Sequence, residues 1–167
     1  MLMLNSHLAW SLSYTLNLSE SELQSALDKK LPFTKKKVLY KLNLQKAELD
    51  LHESENRLSL SSEFSFSTLA SEPVKGECRL SGRLVYKAKQ SSFYLQDVEL
   101  NSLRIDGISD KQLAKMSPVA DLALKKLIAS RALYTLKEDD IKQKLAKASL
   151  DSVKVNNKSL QLQFSLF

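Results

Sequence analysis

The chain is poor in the residues on which reactive chemistry usually rests. It has three glycines, three prolines, two histidines, one cysteine and one tryptophan in 167 residues. Gly76, Gly82 and Gly107 stand alone, so neither a glycine-rich dinucleotide loop nor a phosphate loop ending in Gly-Lys-Ser/Thr can be built. A lone Cys78 makes no intrachain disulfide, and His7 and His52 are too few for a thiolate or imidazole zinc cluster. No apolar run approaches the ~20 residues of a membrane-spanning helix. Met1 to Trp10 are mildly apolar but lack a basic lead, a long apolar stretch and a small-residue cleavage site, so they do not read as a complete signal peptide. Residues 1–12 are expected to be a loose lead-in or signal remnant, and 13–167 a single α+β domain.

What the chain has instead is leucine and serine, 33 and 24 of them. Trp10, Leu12, Tyr14, Leu16 and Leu18 alternate with polar residues, the period of a half-buried strand. Ser19-Glu20-Ser21-Glu22 is a capping box, and Leu23, Ala26 and Leu27 then line one face of a short helix that Pro32 ends. Four strand-like segments follow. Val38, Tyr40, Leu42 and Leu44 share one parity and Ala47, Leu49 and Leu51 the other, which predicts a bulge near Gln45. After a turn at His52 to Asn56, Leu58, Leu60, Phe64 and Phe66 alternate with serines. A turn around Pro73 and Gly76 is expected next, then Cys78, Leu80, Leu84 and Tyr86, then Phe93 to Ile105 with two shifts of parity. Segments of 12 to 15 residues, about 40 to 50 Å if extended, describe a curved antiparallel meander.

Ser109-Asp110-Lys111-Gln112 is a second capping box. At Ser117-Pro118 the helix is expected to kink or restart, and Val119, Leu122, Leu124, Leu127 and Ile128 form a wide stripe to about Leu133. A short extended link, a helix over Glu138 to Lys147 and a hairpin turning at Asn156-Asn157 complete the chain. The fold class expected is α+β: a long, curved meander wrapped around the 117–133 amphipathic helix.

Net charge is +6, and the excess is concentrated. Lys29, Lys30, Lys35, Lys36, Lys37, Lys41 and Lys46 fall in a window, 29–46, without Asp, Glu or Arg. Such a patch suits a solvated turn, an anionic membrane surface or a protein partner. Nucleic acid is disfavoured, because the patch has no Arg for bidentate recognition and no aromatic-rich RNA-binding signature accompanies it.

The titratable residues suggest no active centre. His52 lies beside Glu53 and Glu55 but has no nucleophile next to it in sequence, and Glu20/Glu22 and Asp139/Asp140 sit at helix N-termini, where capping and dipole explain them. Cys78 shares the parity of Leu80 and Leu84 and reads as a small buried hydrophobe. No catalytic residue, metal ligand or cofactor is assigned. The strands carry more apolar surface than one helix can cover, which leaves either an ordinary core or an elongated apolar groove.

The segments Tyr14-Thr15-Leu16-Asn17-Leu18-Ser19-Glu20-Ser21-Glu22-Leu23, Met116 to Leu127, Ala132-Leu133-Tyr134-Thr135-Leu136-Lys137-Glu138-Asp139 and Lys144-Leu145-Ala146-Lys147 with the hairpin after it resemble the YceB-like family of bacterial envelope lipoproteins. The resemblance covers about residues 13–167. It implies a periplasmic domain with a fold similar to tubular lipid-binding proteins, and a membrane anchor in forms that carry a lipidated cysteine. Residues 1–13 here contain none. The expected function is non-enzymatic binding of a lipid or apolar small molecule, lined by Leu58, Leu60, Phe64, Phe66, Leu80, Leu84, Leu122, Leu127, Leu162 and Phe164. Lys29, Lys30, Lys35, Lys36, Lys37 and Lys41 would meet anionic headgroups at a membrane surface. The competing expectation is a scaffold with a filled core that engages a protein through the lysine-rich edge.

Overall fold

The alternation ahead of Ser19 forms strand β1 (Leu12–Ser19), and the capping box opens helix α1 (Glu20–Asp28) as its spacing requires: the Glu22 amide donates to Ser19 Oγ, and the Ser19 amide donates to Glu22 Oε2. The computed structural model describes residues 12–140, 142–144 and 150–166, so the expected strand start at Trp10 lies outside it. The order continues with β2 (Phe33–Lys36), β3 (Tyr40–His52), β4 (Arg57–Thr68), β5 (Ser71–Lys87), β6 (Ser92–Ile105), α2 (Asp110–Ala129), β7 (Tyr134–Thr135), β8 (Leu150–Asn156) and β9 (Ser159–Leu166). β2 to β7 form one antiparallel sheet in sequence order, and β1-β9-β8 a second.

Parity sets the faces of the large sheet. Leu49, Leu60, Leu80 and Leu100 lie opposite one another across four strands, and Leu51 faces Leu58. Burial of a leucine side chain stabilises by about 1.5–3 kcal/mol, so such rows hold the register. The pairing shifts between Leu44 and Lys46, which puts the bulge at Gln45, and β5 against β6 shifts at Arg79/Leu80 and Ser81/Arg83. Each extra residue lets a long strand curve without turning its leucines outward.

Several sequence expectations are corrected. The fold is not a meander wrapped around a long helix: 56% of the described residues are in strands and 24% in helix. α2 lies along β6, only Leu124, Leu127 and Ile128 of it are buried, and Val119 and Leu122 are 73% and 55% exposed. A helix enclosed by a sheet must be apolar all round, whereas α2 carries Lys111, Lys115, Asp121, Lys125 and Lys126. It also runs unbroken through Pro118 and stops at Ala129 instead of Leu133. Pro73 and Gly76 are not a turn but lie inside β5, and the turn is at Leu69-Ala70. There β5 extends past the end of β6, so Pro73 sits where one side of the strand is unpaired and no ladder bond is lost. Val38 shares the parity of Tyr40 but belongs to the β2–β3 turn. Phe33–Lys36, which the periodicity assigns to no element, is a strand, and the link at Tyr134 pairs with Phe93 as β7. Of the expected third helix, residues 142–144 are helical and Glu138 to Asp140 are not. Ile141 and residues 145–149 lie outside the described residues.

β2 covers β3 only from Lys41 to Leu44, leaving the backbone edge from Ala47 onward without a strand partner on that side. α1 supplies the partner with side chains. Gln24 Nε2 donates to the Ala47 carbonyl (2.8 Å), the Leu49 amide donates to Gln24 Oε1 (2.7 Å), and the Leu51 amide donates to Glu20 Oε2 (2.9 Å). This closes an edge that would otherwise be free to pair with another chain. The end of β3 and the β3–β4 turn hold the second sheet in turn: the Val155 amide donates to Asn56 Oδ1, the Asn157 amide to Glu53 Oε2, and Lys158 Nζ to Asp50 Oδ1. The Lys158 bond holds the Asp50 carboxyl below its ordinary pKa. Gln24→Leu is expected to destabilise the fold by about 1–3 kcal/mol in urea unfolding, since it orphans two part-buried backbone groups. A change near zero would show that the edge needs no cap.

Candidate functional site

The inner face of the large sheet is filled where α1 and the second half of α2 lie on it. It is not filled beneath the first half of α2. There a cleft of about 280 Å³ opens between Leu42, Phe64, Phe66, Val74 and Ile105 of the strands and Met116, Val119, Ala120, Ala123 and Leu124 of the helix, with Lys115 beside them. The helix residues fall three and four apart, on one face, and the strand residues share the inward parity. Ala120 and Ala123 keep the space open: of the helix residues that line it, these two carry a single methyl each.

Gly76 sets the floor. It pairs with Phe64 on one side and Ile105 on the other, and a Cβ there would collide with the Arg104 carbonyl and stand 2.7 Å from the Phe64 ring. The absent side chain leaves room for the Phe64 ring against β5, where it forms part of the cleft wall. Tyr40 stacks at a tilt on Phe66, 5.9 Å between centroids, and extends the aromatic wall towards the sheet end.

Of the residues expected to line a groove, only Phe64 and Phe66 border this cleft. Leu58, Leu60, Leu80, Leu127, Leu162 and Phe164 are buried in packed core, Leu84 is half-buried between the sheets, and Leu122 points to solvent. The open space is therefore short instead of running the length of the strands. The other nine lining residues, Leu42, Val74, Ile105, Lys115, Met116, Val119, Ala120, Ala123 and Leu124, are not among those expected. The signal available for them was the pair of alanines at helical spacing opposite two phenylalanines.

The lysine run divides. Lys30 is anchored, donating to the Ala132 carbonyl and to Thr135 Oγ1 (3.1 Å each), and partial burial lowers its pKa. Lys46 pairs with Glu63 at 3.4 Å on the outer face, and Lys29 caps the end of α1. Lys35, Lys36, Lys37 and Lys41 stay together at the β2–β3 hairpin, the sheet end nearest the cleft.

A second cluster merits chemical scrutiny. His52 Nε2 lies 2.8 Å from Ser59 Oγ and 3.5 Å from Asp50 Oδ2, and Arg79 donates to the same serine. A nucleophile–base pair needs the carboxylate on the other ring nitrogen, to orient the base while it takes the serine proton. Here one nitrogen faces both partners and Ser59 is buried, so the group works as a cross-strand polar ladder. His7 lies outside the described residues.

A family model described as protein of unknown function (DUF1439) matches residues 18–159. The chain belongs to that family. Among curated proteins none matches it. The matched span of the DUF1439 domain runs from the penultimate residue of β1 to the first residue of β9, and so contains every residue of the cleft.

Two outcomes follow for the DUF1439 domain. Gly76→Ala is expected to cost about 1–3 kcal/mol, the range for overpacking, with a shift of the Phe64 ring signals in NMR. Retained stability and unmoved Phe64 signals would contradict the floor assigned to Gly76. Burial pushes the Cys78 thiol up to about 12 from 9.0. The unfolded thiol ionises first, so its contribution to stability is complete below about pH 9 and lost as pH rises towards 12. Iodoacetamide at pH 8 is expected to modify Cys78 only after denaturant is added, and rapid native alkylation would contradict this.

Proposed function

We propose that this DUF1439 domain binds the apolar portion of a lipid, or a similar apolar molecule, in the cleft beneath the first half of α2, without chemical turnover. The observation that carries the reading is the cleft's lining: inward strand residues Phe64, Phe66, Val74 and Ile105 face a helix surface kept small by Ala120 and Ala123. A volume of about 280 Å³ stands just below the ~300–1,000 Å³ of small-molecule sites, and suits one acyl chain or a compact ring system. Eight methylenes at ~0.8 kcal/mol each give about 6 kcal/mol, an affinity in the tens of micromolar. Lys115 beside the apolar lining offers a carboxylate or phosphate end a counter-charge.

The resemblance to YceB-like envelope lipoproteins and to tubular lipid-binding proteins supports the same reading, and a bacterial periplasmic location is part of the proposal. A lipid anchor would belong to forms that carry the cysteine. The lysines of the β2–β3 hairpin would stand towards anionic headgroups.

Native mass spectrometry of gently purified protein, with lipid extraction, tests occupancy, and displacement of a fluorescent fatty acid measures affinity. Ala120→Trp fills the cleft and is expected to weaken fatty-acid binding at least tenfold with the thermal midpoint kept, while Leu122→Trp on the solvent side leaves binding unchanged. Absence of binding to the unaltered protein, or equal binding by Ala120→Trp, would overturn the proposal.

A further inference from the structure

Hairpin turns are ordinarily polar, because their backbone and side chains face water. The two turns at the cleft end of the large sheet are not. Val38 and Leu39 occupy the β2–β3 turn and are 85% and 69% exposed, and Leu69 in the β4–β5 turn is 80% exposed. They are neighbours in space, since Tyr40 pairs with Thr68 and Thr68 with Ser71 on adjacent strands. Both turns are tied. The Lys37 amide donates to the Tyr40 carbonyl at 2.8 Å, and Thr68 Oγ1 and Ser71 Oγ share a 2.8 Å hydrogen bond, with the Ala70 amide donating to Thr68 Oγ1. The apolar side chains are thus held outward instead of folding back onto the aromatic wall.

The surroundings are cationic. Residues 33–42 and 66–75 contain five lysines against one acid, Glu72. Lys36, Lys37 and Lys41 are exposed, and among the described residues no acid pairs with them. Lys36 and Lys41 even stand opposite one another across the β2–β3 ladder, an arrangement that is repulsive unless an anion lies between or above them.

We infer that the paired tips Val38-Leu39 and Leu69, ringed by Lys36, Lys37 and Lys41, are a docking surface for an anionic lipid bilayer. The geometry fits the depth of an interfacial site. Leu39 and Leu69 each lie three residues beyond the Leu42–Phe66 pair at the cleft, about 10 Å at ~3.3 Å per residue. Interfacial segments bury their apolar face ~5–10 Å into the headgroup and acyl boundary, so tips immersed to that depth bring Phe66 and the cleft to the membrane surface. The lysines then lie at headgroup level. The inference stands on the tips alone and holds whether or not the cleft carries a ligand.

Sedimentation with vesicles of equal parts phosphatidylglycerol and phosphatidylcholine tests it, with pure phosphatidylcholine as the comparison. The unaltered protein is expected to bind the anionic vesicles, to bind neutral ones at least tenfold more weakly, and to lose affinity as salt is raised. Leu39→Ser with Leu69→Ser is expected to reduce binding at least tenfold, and Lys36→Gln with Lys37→Gln and Lys41→Gln at least as much. All five positions are exposed, and unchanged circular dichroism and thermal midpoints establish that the variants are folded. Ala120→Trp, which blocks the cleft, is expected to bind vesicles like the unaltered protein, so failure of docking is separable from failure of ligand uptake. No binding to anionic vesicles, or binding that survives both tip variants, would overturn the inference, the former leaving the tips as a surface for a protein.

Discussion

The constraint on which the rest of the structure depends is the size of the apolar face that the large sheet presents. Strands of 12 to 17 residues, kept in phase by bulges, give an inner surface that has to be withdrawn from water. α1 covers β3, the C-terminal sheet packs beyond it, and the second half of α2 covers β6, whose edge β7 extends. What is left over is the ground beneath the first half of α2, where the helix turns its alanines inward and Leu122 outward. The cleft is thus a consequence of how far the cover extends.

The same sheet has to be closed at its edges, and the way this is done determines which end stays open. The short β2 protects only the beginning of β3, and α1 completes the edge with Gln24 and Glu20. The far end of β3 and β4 is tied to the C-terminal hairpin by Asn56, Glu53 and the Asp50–Lys158 pair. Every one of these ties lies away from the β2–β3 and β4–β5 turns. The end where the tips project is also the end of the cleft, so apolar exposure, unpaired lysines and open volume coincide on one part of the molecule.

Much of this was legible in the sequence, for identifiable reasons. Capping boxes are local and stereochemically specific, so Ser19 and Ser109 were read correctly as helix starts, and a parity change inside an unbroken strand locates a bulge, as at Gln45. Turns were less legible. Pro73 and Gly76 carry the residue types of a turn but occupy a strand, because β5 is unpaired on one side at Pro73 and because Phe64 needs the room that Gly76 leaves. Leu69-Ala70 carries no turn signature at all, and its turn is made by the flanking Thr68 and Ser71 hydroxyls. For the site, parity identified the face of Leu58, Leu60 and Leu80 but not what lies on it. Which part of a face is covered depends on where a helix distant in sequence comes to rest, and α2 rests against β6 with its second half.

The central claim, that the uncovered strip under α2 is a binding cleft, is tested most directly by methyl-resolved NMR during titration with a medium-chain fatty acid. Shifts confined to the methyl groups of Leu42, Val74, Ile105, Met116 and Val119, saturating together, with Leu58, Leu60, Leu80 and Leu162 unmoved, are the predicted result. Shifts distributed over the core leucines, or none at any concentration below micelle formation, would contradict it.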